Sequence, residues 1–512
     1  MSAGPFTERV SRALADARLR GALRFTTDRL FRMRRQAMEV LRASAEQGLA
    51  LGDFERVRAR AAAIRQHAVA HLDYYLGQAA EQIQRRGGQV YFARNAEDVG
   101  RVVLEIARRR GADLVVKSKS MASEEVHLNQ ILARAGIEAV ESDLGEYIVQ
   151  LAGETPSHII IPAIHKTREQ VAELFGRVIG HALSADTPTL TAVARQVLRE
   201  KFLRAGIGVS GANFVVAETG TLVLVTNEGN GRLVSSVPPV HVAIVGIEKV
   251  IPTLADLSPL LAVLARSATG QQITTYTHLI TGPRRPGELD GPEELHVVFL
   301  DNGRSRILGS EYEQVLTCIR CGACLNVCPV YRQIGGHAYG GVYSGPIGAV
   351  ITPLLGGRQE WSDLPMATSL CGACHEVCPV GIPLHDLLVR LREENVAAGR
   401  TEGGERLAMR LLAWAWSRPW AYRLSGRIAR WLQRGFFAGS AAGDGCWSER
   451  GPGPLAAWAA GRQVPVLAPR SFRELWGDLV AEPAGPAAAV RAAREQPEQS
   501  GASGPDGPGG GR

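Results

Sequence analysis

Over the first 89 residues apolar positions such as Val57, Ala61, Ile64, Leu72, Tyr75, Leu76, Ala80 and Ile83 roughly follow a helical period. They predict a helical N-terminal region, 1–89. From residue 90 the pattern becomes short β-branched runs alternating with helical stretches. Residues 90–93, 113–116, 137–140, 158–162 and 207–209 read as strands, and 96–110 and 123–135 as helices. Such alternation predicts an α/β sandwich with a largely parallel sheet. Residues 214–218 and 221–226, flanking Thr219-Gly220, read as paired strands; 241–245, 272–279 and 296–300 add more, with a helix over 254–266. The α/β domain is therefore expected over 90–301, closed by a linker at Asn302-Gly303.

At 512 residues the chain is long enough for about three domains. An apolar fraction of 45% and a charged fraction of 21% are ordinary globular composition. The last stretch, 491–512, is rich in Gly, Pro and Ser and is expected to be a disordered tail. The net charge of +7 does not point to nucleic acid, because the basic residues are 53 Arg against five Lys, a skew better explained by coding bias. Those five, Lys117, Lys119, Lys166, Lys201 and Lys249, all fall in the α/β stretch. No run reaches the ~18 to 20 apolar residues of a membrane span, and the N-terminus lacks a secretory pattern. A cytoplasmic protein is expected, in which eight cysteines imply metal or redox chemistry rather than disulfides.

Cys318-x2-Cys321-x2-Cys324-x3-Cys328-Pro329 is the spacing of bacterial dicluster ferredoxins, whose fourth cysteine serves the other cluster. Cys371-x2-Cys374-x3-Cys378-Pro379 follows 43 residues after Cys328 with the same neighbours, Cys-Gly-Ala-Cys and Val-Cys-Pro-Val. The repeat predicts crossed ligation of two iron–sulfur clusters: Cys318, Cys321, Cys324 and Cys378 around one, Cys328, Cys371 and Cys374 around the other. Thr368 stands where the second copy would have its first cysteine. The second cluster is thus expected to be [3Fe-4S], or [4Fe-4S] completed by Thr368, Ser369, Cys446 or an external ligand. Zinc is the rival, but structural zinc uses two well-separated ligand pairs. No dinucleotide or phosphate-binding glycine fingerprint and no flavin domain is visible, so the motifs predict one-electron transfer and no catalytic residue. Tyr331, Tyr339 and Tyr343 with the glycines of 335–348 could shape a docking face, but turn glycine beside packed tyrosine is the more common explanation.

All eight tryptophans lie at or beyond Trp361. Residues 411–434 interleave Trp414, Trp416, Trp420 and Trp431 with arginines, a pattern for packing on its own domain or for contact with a partner or membrane surface. The expected division is therefore a dicluster domain at 302–395 and a Trp/Arg-rich region at 396–490. In the α/β part, Lys117-Ser118-Lys119-Ser120 before Ser123, Glu124 and Glu125 is one candidate anion site. Glu218-Thr219-Gly220-Thr221 with Asn227-Glu228-Gly229-Asn230-Gly231 is another polar region; Glu218 could be a buried carboxylate or a turn residue.

Lys117-Ser-Lys-Ser-Met121, Glu218-Thr-Gly-Thr221, Asn227-Glu-Gly-Asn-Gly-Arg232 and Pro238-Pro-Val-His241 resemble the lactate utilization (LUD) domain. With the two cysteine motifs, Ile382-Pro-Leu-His-Asp386 and the Trp-rich end, the order over 90–434 resembles the lactate utilization protein B family. The resemblance implies a multidomain α/β plus α chain, its LUD domain similar to sugar-phosphate isomerases and CoA transferases, followed by a helical ferredoxin-type dicluster domain and a helical C-terminal region. It also implies seven motif cysteines, and a cytoplasmic electron-transfer subunit that works with two partner subunits, oxidising L-lactate to pyruvate without NAD and supporting growth on lactate. Lys117, Lys119 and Arg232 are the candidates for a carboxylate. Two alternatives stay open: a CoA-transferase-like enzyme with Glu218 as nucleophile, and a quinone-linked electron adapter using 411–434 for peripheral membrane contact.

Overall fold

The structure is a computed structural model and describes residues 6–46, 53–400, 403–436, 441–442, 447–448 and 464–481. It divides into two compact units, Met1–Arg400 and Thr401–Arg512. The first unit opens with helices Phe6–Ala15, Ala17–Glu46, Phe54–Ala70 and Leu72–Arg85. Ten strands follow: β1 (Gln89–Ala93), β2 (Leu114–Lys117), β3 (Glu138–Glu141), β4 (Ile207–Ser210), β5 (Phe214–Val216), β6 (Thr221–Thr226), β7 (Val240–Gly246), β8 (Val250–Ile251), β9 (Tyr276–Ile280) and β10 (Glu294–Leu300).

Six of them form an all-parallel sheet in the order β1-β10-β7-β4-β2-β3. Its central strands are covered on both faces, which is why they read as continuous apolar runs; all seven residues of β7 are buried. The chain leaves β2 for β3 in one direction and β4 for β7 in the other. The loops after β2 and β4 therefore diverge, and a crevice opens between them at the carboxyl ends of the strands. A smaller mixed sheet, β8-β5-β6-β9, stands beside it. Apolar residues of the N-terminal helices, of β5, β6 and β8, and of the cysteine region share one core that includes Leu23, Val57, Val216, Ile251, Leu325 and Leu388.

The α/β expectation holds, with local corrections. Residues 158–162 are not a strand but a tight loop. His158 Nδ1 accepts hydrogen bonds from the amides of Ile160 (3.0 Å) and Ile161 (3.1 Å), and the Ser157 amide donates to the Pro162 carbonyl at 3.1 Å. Those amides are spent locally and cannot enter a ladder. The expected helix over 123–135 is two helices, Met121–Glu125 and Leu128–Arg134, interrupted at His127 with φ 50°. Residues 272–275 stay irregular ahead of β9, tied through Asn227 to Gln271 and Thr275. Helices Leu144–Leu151, Arg168–Ile179 and Thr187–Arg204 were not expected, although each carries a legible start: Asp143, the Thr167/Gln170 capping box and Asp186.

Among its described residues the second unit contains helices Gly403–Trp416, Pro419–Phe436 and Phe472–Ala481 and three two-residue strands. Trp414, Trp416, Trp420 and Trp431 are all exposed. Among the described residues no helix is long and apolar enough to cross a membrane. Cys446 and the expected tail, 491–512, lie outside the described residues.

Candidate iron–sulfur centre

The repeat in the sequence is also a repeat in the backbone. In the first copy Arg320 (φ 59°) and Gly322 (φ 74°) take left-handed conformations, and in the second Leu370 (φ 55°) and Gly372 (φ 80°) do so at the matching places. A left-handed bulky residue is costly, so its recurrence on both sides of a cysteine marks a loop shaped around something it must wrap. Each loop runs into a short helix, Ala323–Val327 and Ala373–Glu376, and each ends at a Cys-Pro pair. The Arg320 amide donates to Cys318 Sγ at 3.4 Å; in the second copy the Leu370 amide donates to Thr368 Oγ1 at 3.1 Å. The Thr368 hydroxyl thus takes the hydrogen bond that the Cys318 sulfur takes in the first loop. Amides of Tyr331 and Ile382 likewise donate to Cys328 and Cys378 Sγ at 3.5 and 3.3 Å.

Cys318, Cys321, Cys324 and Cys378 line a single, mostly apolar cavity. The other three cysteines form a second neighbourhood, in which Cys374 feels the charges of Cys328 and Cys371. Burial pushes the thiols of Cys321 and Cys374 up to about 12, chiefly through desolvation. Buried thiols of this kind ionise only if a cation compensates them, which iron bound to the sulfur supplies. The donor set, sulfur only and supported by backbone amides, fits iron–sulfur clusters. Among the described residues no three His, Cys, Asp or Glu side chains form a set suited to a single metal ion.

Basic side chains from outside the motifs surround the first set. Arg58 Nε donates to the Cys378 carbonyl at 2.7 Å and Arg34 Nη2 to the Val377 carbonyl at 3.2 Å. Arg65, 1% exposed, donates to the carbonyls of Thr317 (3.2 Å), Leu316 (3.0 Å), Val250 (3.0 Å) and Glu248; desolvation lowers its pKa to about 10. Glu248 is held by Arg304 at 2.6 Å and Arg320 at 3.5 Å, and Arg304, Lys249 and Arg320 together hold its carboxyl down at about 2 against the opposing effect of burial. His158 closes the α/β side: buried and kept neutral with a pKa of about 4, it bonds Asn326 between Cys324 and Cys328 at 3.1 Å. None of these was singled out in the sequence, because arginine is everywhere in the N-terminal helices.

The expected anion residues separate. Lys117 is buried and tied to Glu141 (2.6 Å) and Asn129 (2.6 Å), so it is a structural ion pair. Lys119 donates to the Ile160 carbonyl at 2.6 Å and lines a cavity with Asn227 and Glu228. Arg232 is exposed and outside that cavity. Glu218 is exposed, its Oε2 accepting from the Leu254 amide at 2.9 Å; it is the turn residue, not a buried carboxylate. Tyr331 and Tyr339 are fully buried, and the Tyr331 hydroxyl donates to the Ser157 carbonyl at 2.7 Å, which is the packing role expected of them.

Three family models match the chain. Residues 76–300 match the LUD domain, 314–382 a 4Fe-4S dicluster domain, and 390–478 the lactate utilisation protein B C-terminal domain. Proteins named lactate utilization protein B from Bacillus thuringiensis (strain Al Hakam), Bacillus cereus (strain AH187) and Bacillus anthracis (strain CDC 684 / NRRL 3495) are each 46% identical over 474 residues, 92% of this chain and 97% of the relative. A crystal structure of a DUF162 family protein from Deinococcus radiodurans overlays at 14% identity with a TM-score of 0.26, covering 45% of this chain and 98% of its own, too loosely to inform the fold. On the identity and coverage of these relatives, the chain belongs to the lactate utilization protein B family.

Proposed function

We propose that this chain is the electron-transfer subunit of a cytoplasmic assembly that oxidises L-lactate to pyruvate without NAD, working with two partner subunits. Cys318, Cys321, Cys324 and Cys378 hold one iron–sulfur cluster in this reading; Cys328, Cys371 and Cys374 hold three corners of the other. The observation that carries it is the crossed grouping, Cys378 of the second copy sharing a cavity with three cysteines of the first. Lactate oxidation releases two electrons and two protons, and clusters bound at the two sites would supply one-electron storage at each.

The chain's own residues insulate and bias that route. Ile319, Ile347 and Leu384 keep water from the first site, while Arg34, Arg58 and Arg65 supply positive charge beside it, which favours the reduced state. Cys371 is exposed and offers an exit to a partner. No residue is assigned to lactate chemistry, which belongs to a partner subunit in this proposal.

The test is anaerobic. The tagged chain is purified from its host with whatever accompanies it, and cluster absorbance is followed after L-lactate is added without NAD. Bleaching that needs the partners is the expected result; clusters that stay oxidised with partners and L-lactate present would overturn the lactate assignment.

A further inference from the structure

A second cavity, of about 270 Å³, opens at the carboxyl ends of β2, β4 and β7. It lies where the connections from β2 and β4 leave in opposite directions, the place where parallel sheets leave loops free to grip a ligand. Ile159 and Arg320 line both this cavity and the cavity of Cys318, Cys321, Cys324 and Cys378. A single layer of side chains therefore separates the two.

Two cations line it that share the charge of Glu248 and are not fully hydrogen-bonded. Arg320 is only 9% exposed, and its Nε and Nη1 make no hydrogen bond; Nη2 alone reaches Glu248, at 3.5 Å. Lys249 also lines the cavity and feels the charge of Glu248 without a side-chain hydrogen bond to it among the described residues. Arg304, by contrast, is paired with both Glu125 and Glu248, while Lys119 spends one of its three donors on the Ile160 carbonyl. A buried guanidinium with two idle donors is unfavourable until an acceptor fills them. Leu224 and Leu264 add apolar wall, while Asp143, Glu228 and Glu248 add negative charge that disfavours a ligand with several anionic groups. We propose that this cavity binds a small organic monocarboxylate, its carboxylate held by Arg320 and Lys249 and its short apolar body against the leucines.

The proposal leans on the iron–sulfur reading above only for its spectroscopic arm. Full-length protein purified anaerobically with its clusters is titrated with pyruvate and with L-lactate by calorimetry, inorganic phosphate serving as comparison. Saturable one-to-one binding of at least one carboxylate is expected, weakened about tenfold by Lys249→Met and partly restored by Lys249→Arg. Lys249→Met leaves buried Glu248 its ion pairs with Arg304 and Arg320, so iron content and thermal unfolding are expected to stay close to those of the parent chain. In the dithionite-reduced protein the binding carboxylate should shift the electron paramagnetic resonance signal, and Lys249→Met should remove that shift at the same ligand concentration. Absence of saturable binding, binding indifferent to Lys249→Met, or tighter binding of phosphate than of either carboxylate would each overturn the proposal. Carboxylate binding by the isolated chain, with no lactate-driven bleaching in the complex, would leave this site standing and fail only the electron-transfer reading.

Discussion

The two cysteine loops share a backbone and differ in what surrounds them. In the first, Cys321 and Cys324 are buried among the N-terminal helices and the α/β loops, and arginines reach in from residues 34, 58 and 65. In the second, Ser369, Leu370 and Cys371 are exposed, and a threonine replaces the leading cysteine. Identical local geometry thus meets two environments. In the functional reading above, the first site is the insulated store and the second is the one that faces a partner.

Cysteine replacement is the most forceful way to break this comparison. Cys324→Ser should abolish the first cluster, remove about half the iron and lower the unfolding temperature steeply, because it withdraws a ligand from a site embedded in the shared core. Cys371→Ser should cost only the second cluster and leave the fold near its parent stability. Iron and sulfide analysis with thermal unfolding separates the two, and equal damage from both would erase the contrast.

Next in size is Arg65→Met. Four carbonyls lose their buried donor, so a loss of at least about 3 kcal/mol is expected in denaturant titration. An exposed arginine such as Arg29 gives the control, where replacement by Met should stay within ~0.5 kcal/mol.

Acid probes the α/β core and, through His158, the edge of the first cysteine loop. His241 is fully buried, bonds Ser210 Oγ at 2.8 Å, and is held at about 3 by desolvation, with His278 and His296 adding like charge. Its unfolded value is about 6.5, so between those values the unfolded chain binds more protons. Stability is therefore lost as pH falls below 6.5, by about 2 kcal/mol at pH 5. Thermal unfolding across that range should show the slope, and His241→Asn should reduce it, leaving the share that buried His158 contributes.

The smallest effect on stability, though sharp spectroscopically, is expected from Thr368→Cys. It places a sulfur where the Thr368 hydroxyl already accepts the Leu370 amide, completing the second motif. Slower loss of iron in air and a changed paramagnetic signal are expected; an unchanged decay rate would show that Thr368 does not stand at the fourth corner.

Much of the fold could be read from the chain because its parallel strands are buried on both faces and stand out as β-branched runs between amphipathic helices. The loop at 158–162 deceived because Ile159, Ile160 and Ile161 mimic such a run, while the histidine that turns them inward looks like any other polar residue. The helices between 144 and 204 have real caps but no clean apolar stripe. Glu218 and Lys117 illustrate the limit for sites: each sits in a suggestive motif, yet one is an exposed turn and the other a sealed ion pair.

Sequence alone determined the cysteine spacing, the repeat and hence the chemistry, because a tight loop dictates locally which thiolates can face one cluster. Only the tertiary structure decided that Arg34, Arg58 and Arg65 gather there, that Lys249 and Arg320 share a cavity beside it, and that one loop is buried and the other exposed. Those juxtapositions join segments up to hundreds of residues apart, and burial is a property of what packs around a residue, which no local pattern encodes.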